Sequence, residues 1–354
     1  MSHPARRLSE YRQGSSNVAE TVGVVVIGRN EGERLRHCLV SLHDNIPPGS
    51  GIIYVDSGST DGSVASAQEL GVHVVELDMS VPFTAARARN EGATLLAKIA
   101  PQANLILFLD GDCRLCPGFL PAATAFLAAN PGYAVVCGRR RELHPTRNAY
   151  HRLAEMEWNT PIGDAPACGG DALLRRDTFE TVGGFDSRLI AGEEPELCVR
   201  LRSAGHKIRR IDTDMTLHDV DMSRFSQWWS RSVRAGFAFA LGASMHGSGP
   251  QRHWRRQAIR PWIWALGVPL TAAVIAVFAG WWAAAVFALY LWPVRGAYRD
   301  GRRRGASSGD SALFSLACLV SKWAEVRGQI RFHTARLLGR RVGLIEYKKT
   351  AVPA

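Results

Sequence analysis

Acidic side chains occur in three groups along the chain, in an order that could support metal binding and proton transfer. The first two groups directly follow short apolar segments, and the third precedes Pro195. In α/β proteins the carboxyl ends of neighbouring parallel strands form the usual ligand site. The layout therefore predicts an enzyme that handles a metal-bound diphosphate, with these groups at its site: Asp56, Asp110 with Asp112, and Glu193 with Glu194.

The segment Asp110-Gly111-Asp112 has the spacing of a cation site. In an extended segment, residues two apart point to the same side, and Gly111 allows close approach of the backbone. Mg²⁺ and Mn²⁺ prefer oxygen ligands, so we expect Asp112 to bridge such an ion to a diphosphate. Asp110 is expected to contact a ribose, or to contact the metal ligands without binding the ion itself. The alternative is a simple turn after a strand.

Apolar strand patterns alternate with helical patterns around these carboxylates. Such alternation predicts an α/β domain with a mostly parallel sheet flanked by helices. A helix is predicted over 84–99, and strands are predicted over 22–27, 52–55, 72–76, 105–109 and 208–211.

Six short motifs follow one another along the chain: Val-Ile-Gly-Arg-Asn-Glu, Val-Asp-Ser-Gly-Ser-Thr-Asp-Gly-Ser, Ala-Arg-Ala-Arg-Asn-Glu-Gly, Leu-Asp-Gly-Asp, Val-Gly-Gly-Phe-Asp and Gly-Glu-Glu-Pro-Glu-Leu-Cys-Val-Arg-Leu. Each motif is weak, but their order and spacing over about residues 22–222 resemble the family 2 glycosyltransferases of the GT-A fold. The resemblance implies a Rossmann-like domain that transfers a sugar from a nucleotide diphosphate, usually with inversion, to a hydroxyl acceptor.

The resemblance also implies roles for residues of the donor site. Asp56 would accept a hydrogen bond from the edge of a nucleotide base, with UDP favoured, although a helix N-cap is the alternative for this position. Arg87 and Asn90 would contact the nucleotide or its diphosphate, whereas an arginine on a helix is more often solvated. Gly169 and Gly170 would let the backbone approach a sugar closely, and Asp171 would bind a donor-sugar hydroxyl.

An inverting transfer needs a carboxylate to take the acceptor proton. In the family this base is the second member of a Glu-Asp pair, which implies Glu194 here, with Glu193 as a partner that could share the role. The extra methylene of Glu194 departs from the usual aspartate. An acidic helix start, favourable for the helix dipole, is the alternative. His218 follows a predicted strand and is the candidate that would complete the metal shell beside Asp112.

Basic residues are concentrated in the last third of the chain. Residues 1–220 contain 23 Lys and Arg against 27 Asp and Glu, whereas residues 221–354 contain 20 against 5. Because the basic part also contains the most apolar stretch, anionic membrane lipids are a better partner than nucleic acid. We expect no nucleic-acid partner.

Residues 261–294 contain no charged side chain. This length suits one membrane span but is cramped for two full spans. Arginines flank both sides, so the positive-inside rule draws both ends toward the cytoplasm. A transmembrane or re-entrant hairpin that turns near Gly280 satisfies this constraint, while a single span and a buried core helix remain alternatives.

These patterns divide the chain into five parts and predict a catalytic domain on the cytoplasmic face of the inner membrane. The polar N-terminus has no signal-peptide core, and the seven scattered cysteines suit a reducing compartment. Within the last part, residues 311–338 have the spacing of a helix lying on the bilayer surface. The parts are a polar tail at 1–21, a GT-A domain at 22–222, basic linker or interfacial helices at 223–260, the hairpin at 261–294, and a basic amphipathic region at 295–354.

Two other functions remain open at this point. A nucleotidyltransferase on a similar sheet would carry a Gly-rich loop with a lysine at the first strand end, and Gly28-Arg29-Asn30 lacks it. A catalytically inactive, membrane-anchored scaffold that binds nucleotide sugars would not need the intact Asp112 and Glu194. The sequence therefore favours an enzyme whose acceptor is lipid-linked or close to the membrane.

Overall fold

A computed structural model describes residues 21–340 and residue 343. The described strands, β1 to β9 in chain order, are Val22–Gly28, Ile52–Asp56, His73–Glu76, Leu105–Asp110, Cys113–Leu115, Tyr133–Glu142, Gly163–Asp164, Ala172–Arg175 and Lys207–His218. The described α-helices, α1 to α12, are Glu33–Asn45, Ser63–Glu69, Ala85–Ile99, Phe119–Ala129, Ala149–Trp158, Arg176–Thr181, Glu193–Ser203, Phe225–His246, Arg255–Trp262, Val268–Ala279, Leu291–Arg303 and Ser308–Leu337.

The strands form one mixed sheet in the order β3-β2-β1-β4-β8-β6-β9-β5, with β7 paired to β9. Strands β1 to β4 are mutually parallel, as predicted, whereas β8 is antiparallel to both β4 and β6. In the register of β1, Gly28 pairs with Asp56 and Ile27 pairs with Asp110. The predicted α/β fold is confirmed, and two of the three predicted carboxylate groups lie at the carboxyl ends of β2 and β4, on either side of β1.

Helix α3 packs unusually closely on the parallel part of the sheet. A Cβ atom at Gly92 would lie 2.4 Å from Val25 Cγ1, so only glycine permits this approach. Thr84 caps the helix by accepting a hydrogen bond from the Arg87 backbone N–H at 3.0 Å. The close packing directs the first turns of α3, with Arg89, toward the strand ends.

Strand β9 is longer than predicted, because it continues through a polar segment to His218. Its pairing with β6 includes shifts of register, and its charged side chains alternate irregularly. Such a strand has no clear two-residue hydrophobic period. As a result, His218 ends the strand itself and pairs with both Cys113 and Glu142.

The region predicted as a basic linker, residues 223–260, is mainly the 22-residue helix α8. Its Trp228 is buried in a cluster with Leu153, Val220 and Met222 of the sheet domain. Of the two options predicted for this region, linker or interfacial helices, α8 is helical, and an apolar helix face buried on the domain holds it in place.

Helix α12 packs along α8 at two glycines. A Cβ atom at Gly236 of α8 would lie 2.1 Å from Glu325 O, and one at Gly328 of α12 would lie 2.0 Å from Val233 O. Phe314 and Val320 of α12 also pack against the cluster around Trp228. Part of the apolar side of 311–338 thus contacts protein, and the placement of its remaining face on a bilayer surface stays a prediction. Residues 341–342 and 344–354 of the predicted C-terminal region, and nearly all of the predicted N-terminal tail, lie outside the described residues.

The apolar stretch reverses direction at Gly280, where φ is +57°. A π-helical turn, Ile263–Gly267, precedes α10, and a 3₁₀ helix, Gly280–Tyr290, follows it. Tyr290 Oη donates a hydrogen bond to Trp264 O at 2.8 Å. Residues 26 apart in a straight helix would lie roughly 39 Å apart, so the chain forms a hairpin. One helical stretch, Arg255–Arg303, is long and apolar enough by length and composition to cross a membrane.

Candidate functional site

Asp56 lies at the end of β2, where its own loop surrounds its carboxylate. Tyr54 Oη donates to Asp56 Oδ1 at 2.8 Å, and the backbone N–H groups of Gly58 and Ser59 donate to Oδ2 at 2.9 and 2.8 Å. Burial and the Asp56 charge raise the pKa of Tyr54, which stays a donor. These bonds fix the carboxylate at the strand edge, and its contact with a nucleotide base stays a prediction.

Asp112 and His218 converge from different strands. Asp112 lies between β4 and β5, and His218 Nε2 approaches its Oδ2 at 3.3 Å. A backbone hydrogen bond also joins these two segments, because the Asp219 N–H donates to Asp112 O at 3.2 Å. Two ligands bound at right angles to one ion, each at about 2.1 Å, lie roughly 3 Å apart. The pair therefore fits two protein ligands of a hard divalent ion.

The surroundings of the Asp112 and His218 side chains are buried. His218 is 5% exposed, its ring packs edge-on against Trp158 at 4.6 Å, and its Nδ1 has no hydrogen-bond partner among the described residues. Burial raises the pKa of the neighbouring Cys113 well above its usual value, so it stays a neutral thiol. A neutral thiol is a poor metal ligand. Asp112 and His218 are thus donors that could hold a divalent ion here, and the identity of the ion stays a prediction.

Asp110 does not face the same partner as Asp112. Arg89 Nη2 lies 2.7 Å from Asp110 Oδ1, and Arg89 Nη1 lies 2.8 Å from Glu193 Oε1. Burial lowers the pKa of Arg89, but the charges of Asp110 and Glu193 outweigh it, so that this pKa lies above its usual value. The buried cation therefore joins the end of β4 to the first turn of α7.

A second buried cation extends this network. Arg140 Nη2 lies 2.7 Å from Asp171 Oδ2, which also accepts a hydrogen bond from Thr216 Oγ1 at 2.8 Å. Asp171 Oδ1 accepts from Asp110 N–H at 3.1 Å. Asp171 is fully buried with both oxygens engaged. In this conformation it positions Arg140 and the end of β4, and its contact with a donor-sugar hydroxyl stays a prediction.

At Gly170, the loop before β8 lies against the side chains of Asp110 and Arg140. A Cβ atom there would lie 2.9 Å from Asp110 Oδ2 and 3.0 Å from Arg140 Nη2. Gly169 adopts a φ of +90°, which a side chain would strain. The predicted close approach of backbone thus occurs toward the strand-end charges. Its use in sugar binding stays a prediction.

Glu194 lies on the other side of this loop. Its Oε1 accepts hydrogen bonds from the Cys168 backbone N–H at 2.6 Å, Cys168 Sγ at 2.9 Å and Cys198 Sγ at 3.0 Å. Cys168 directly precedes Gly169-Gly170. The loop therefore connects Glu194 to the region of Asp110, while Glu193 reaches the same region through Arg89.

Arg87 and Asn90 are engaged with backbone. Arg87 Nη1 donates to Asp78 O at 3.0 Å and to Val81 O at 2.9 Å. The Asn90 side chain exchanges two hydrogen bonds with the Phe185 backbone, at 2.7 and 2.9 Å. Both residues hold loops next to the strand ends, and their contacts with a nucleotide stay predictions.

Four residues of this network were not among the predicted site residues: Arg89, Arg140, Cys168 and Cys198. A usable signal existed for Arg89, because it shares a helical face with Gly92 and Leu96 at spacings of three and seven residues. This face is the buried one, whereas Arg87 lies off it. Arg140 stands within a run of three arginines, whose pattern does not indicate which one is buried.

Comparison with known proteins agrees with this geometry. Residues 23–183 match the model of the family described as Glycosyl transferase family 2. The mannosyltransferase PcManGT from Pyrobaculum calidifontis, solved with GDP-Man and Mn²⁺, superposes with a TM-score of 0.62 at 18% identity, covering 88% of each chain. That similarity shows the fold.

Two curated relatives carry glycosyltransferase names. The pre-mycofactocin glycosyltransferase of Mycobacterium tuberculosis is 27% identical over 238 residues, covering 64% of this chain and 48% of the relative. The O-antigen chain rhamnosyltransferase RfbN of Salmonella typhimurium is 25% identical over 174 residues, covering 44% of this chain and 53% of the relative. The chain thus spans about half the length of these relatives.

The fold and the carboxylates at its strand ends define a GT-A domain. Residues 23–183 of this domain match glycosyltransferase family 2, in line with the resemblance carried by the sequence motifs.

Proposed function

We propose that this protein transfers a sugar from a nucleotide-diphosphate donor, preferably a UDP-sugar, to a hydroxyl acceptor, with inversion at the anomeric carbon. The observation that carries this proposal is the convergence of Asp112 Oδ2 and His218 Nε2, 3.3 Å apart, beside the strand-end carboxylates. Mg²⁺ or Mn²⁺ bound there would supply positive charge to the departing diphosphate. Asp56 and Asp110 would hold the nucleoside on the same edge.

Glu194 is the proposed general base, and Glu193 is its positioning partner. Glu193 is neutralised by the buried guanidinium of Arg89, at 2.8 Å. A carboxylate bound to a cation is a weaker base. Glu194 has no cation within hydrogen-bonding distance among the described residues, so it is the better proton acceptor of the two.

The acceptor is proposed to be lipid-linked or membrane-proximal, at the cytoplasmic face of the inner membrane. The hairpin carries exposed aromatic and aliphatic side chains at its turn, with Phe278 87%, Trp281 73% and Trp282 64% exposed. Tryptophan favours the depth of the lipid headgroups. The arginines at both ends of 255–303 complement anionic headgroups. The hairpin would thus hold the sheet domain beside the bilayer.

The test is a panel of UDP-, GDP- and dTDP-sugars, with donor hydrolysis and transfer measured in Mn²⁺ or Mg²⁺. The Mn²⁺ and GDP-Man complex of the Pyrobaculum structure supports including GDP-sugars. Asp112→Asn and Glu194→Gln are each expected to lower turnover by about 100-fold or more. Asp214→Asn is the matched control, because this carboxylate lies on β9 but is 53% exposed.

The product anomer, determined by NMR, tests inversion separately. If no donor is bound or turned over, and neither substitution affects any activity, the inactive scaffold becomes the better explanation. Nucleotide bound without turnover would also favour the scaffold.

A further inference from the structure

We propose that the thiols of Cys168 and Cys198 are positioning residues for Glu194, which together hold one of its carboxylate oxygens and leave the other to accept the proton. This inference rests on the proposed function, in which Glu194 is the general base. The geometry below is independent of which sugar is transferred.

The two oxygens of Glu194 have different surroundings. Three donors reach Oε1: the Cys168 backbone N–H at 2.6 Å, Cys168 Sγ at 2.9 Å and Cys198 Sγ at 3.0 Å. Within the described part of the chain, no protein donor bonds to Oε2. A base needs an anchored carboxylate with one unoccupied oxygen, and this arrangement supplies both.

Both thiols can act as donors. The hydrogen bond with Cys198 and burial raise the pKa of Cys168, and burial raises the pKa of Cys198, so both stay protonated. Their sulfur atoms are 3.7 Å apart, farther from each other than either is from Glu194 Oε1. Because the carboxylate is both nearer and charged, Oε1 is the stronger acceptor for each thiol, and the contact between the two sulfur atoms is the weaker one.

The position of each thiol is set by a different element. Cys198 lies on α7, four residues after Glu194, so it faces the same side of the helix. Cys168 lies in the loop before Gly169, and Arg210 Nη2 from β9 donates to its carbonyl at 3.3 Å. Helix α7 and the loop before Gly169 therefore each supply a thiol donor to Glu194 Oε1.

Other ionisable groups also face this carboxylate. The buried Cys137 of β6 interacts electrostatically with Glu194, and burial raises the pKa of that thiol to about 12. Arg202 of α7 also interacts with the Glu194 charge, and burial lowers the pKa of this arginine. Glu193 adjoins in sequence but is paired with Arg89. Only Cys168 and Cys198 among these side chains donate hydrogen bonds to Glu194, so substitutions at these two positions test the inference specifically.

The kinetic test compares Cys198→Ala with Cys198→Ser in the full chain. Loss of a donor destabilises the ionised form of the carboxylate. For Cys198→Ala we expect kcat to fall about 10-fold with little change in KM, and the acidic limb of the kcat profile to move to higher pH. Cys198→Ser keeps a hydroxyl donor and should recover most of the loss. Cys318→Ala is the matched control, because this cysteine lies on α12 away from Glu194.

A spectroscopic test is independent of activity. Infrared spectroscopy of the wild type should show S–H stretching bands shifted to low frequency by bonds to a carboxylate. In Glu194→Gln the acceptor is neutral, so these bands should move to higher frequency, whereas Cys318→Ala should only remove one band. The measurement remains informative if the cysteine variants do not fold.

The two tests separate this inference from the function itself. If wild type transfers sugar and Glu194→Gln abolishes transfer, but Cys198→Ala and Cys198→Ser lose kcat equally with no shift in pH profile, the thiols are only structural. Unshifted S–H bands in the wild type also overturn the inference. Failure of the wild type on every donor defeats the proposed function, while shifted bands would still support the thiol contacts.

Discussion

Arg89 Nη1 lies 2.8 Å from Glu193 Oε1, and this ion pair joins helix α3 to the first turn of helix α7. The same guanidinium binds Asp110 at 2.7 Å, although Arg89 is only 3% exposed. The acidic start of α7 is therefore positioned by a buried cation. The pair also distinguishes the two glutamates, since Glu193 is neutralised while Glu194 bonds to thiols.

Replacing Arg89 by Met should destabilise the fold strongly. The buried Glu193 and the partly exposed Asp110 would both lose their cation, and breaking a buried ion pair typically costs about 3–5 kcal/mol. Urea denaturation followed by circular dichroism measures this loss. Arg188→Met is the control, because Arg188 is 86% exposed beside Asp186 and should show no measurable change. Similar midpoints for the two variants would contradict this role of Arg89.

Replacing His218 by Gln should weaken metal binding. If His218 is a ligand, we expect the affinity for Mn²⁺ to fall at least about 10-fold, as measured by electron paramagnetic resonance of free Mn²⁺. His144→Gln, at an exposed histidine just after β6, is the control. Unchanged affinity would leave His218 with a packing role against Trp158.

Replacing Gly328 by Ala should separate α12 from α8. The added Cβ would lie 2.0 Å from Val233 O, and overpacking of this kind usually costs about 1–3 kcal/mol or more. Gly309→Ala on the same helix meets nothing closer than 3.9 Å and should be neutral or slightly stabilising. Thermal unfolding measures both variants, and a stable Gly328→Ala would show that the helices can shift apart freely.

His253 should make the protein less stable in mild acid. Burial, together with the charges of His246 and Arg202, lowers the pKa of His253 from 6.5 to about 4. Between these values the unfolded chain binds a proton that the folded chain does not, so stability falls as the pH drops from 6.5 toward 4. His253→Gln should reduce this loss by about 1 kcal/mol between pH 7 and 5, allowing for partial exposure.

Urea midpoints at the two pH values measure this effect. His43→Gln, at an exposed histidine, should keep the wild-type pH dependence. An unchanged dependence in His253→Gln would assign the acid sensitivity to other groups.

The aromatic turn of the hairpin should govern membrane binding. Trp281 and Trp282 stack at 4.0 Å and are largely exposed. We expect the double change to Ser to weaken co-sedimentation with phosphatidylglycerol vesicles about 10-fold or more, since a large apolar area would be lost from the lipid interface. Trp323→Ser on α12, at a position 37% exposed, is the control. Equal binding by both variants would contradict insertion of the turn.

The sequence by itself predicted the helices and strands that have clear local signals. Strands β1, β2 and β4 are apolar runs that end at polar turns, and Thr84 precedes the helical pattern of α3. Such signals depend on neighbouring residues alone, so they predicted the order of strands and helices. The same local signal placed a turn at Gly280, where the chain does reverse.

Tertiary structure determined which side chains of each element share a partner. Asp110 and Asp112 are two residues apart, yet one bonds to Arg89 and the other faces His218. Likewise, the neighbouring Glu193 and Glu194 bond to a guanidinium and to thiols. These partners come from segments 21 to 106 residues away or, for Cys198, from the next turn of the same helix. Hydrogen bonds and ion pairs act only over a few ångströms, so their partners depend on how distant segments pack, which local sequence patterns do not encode.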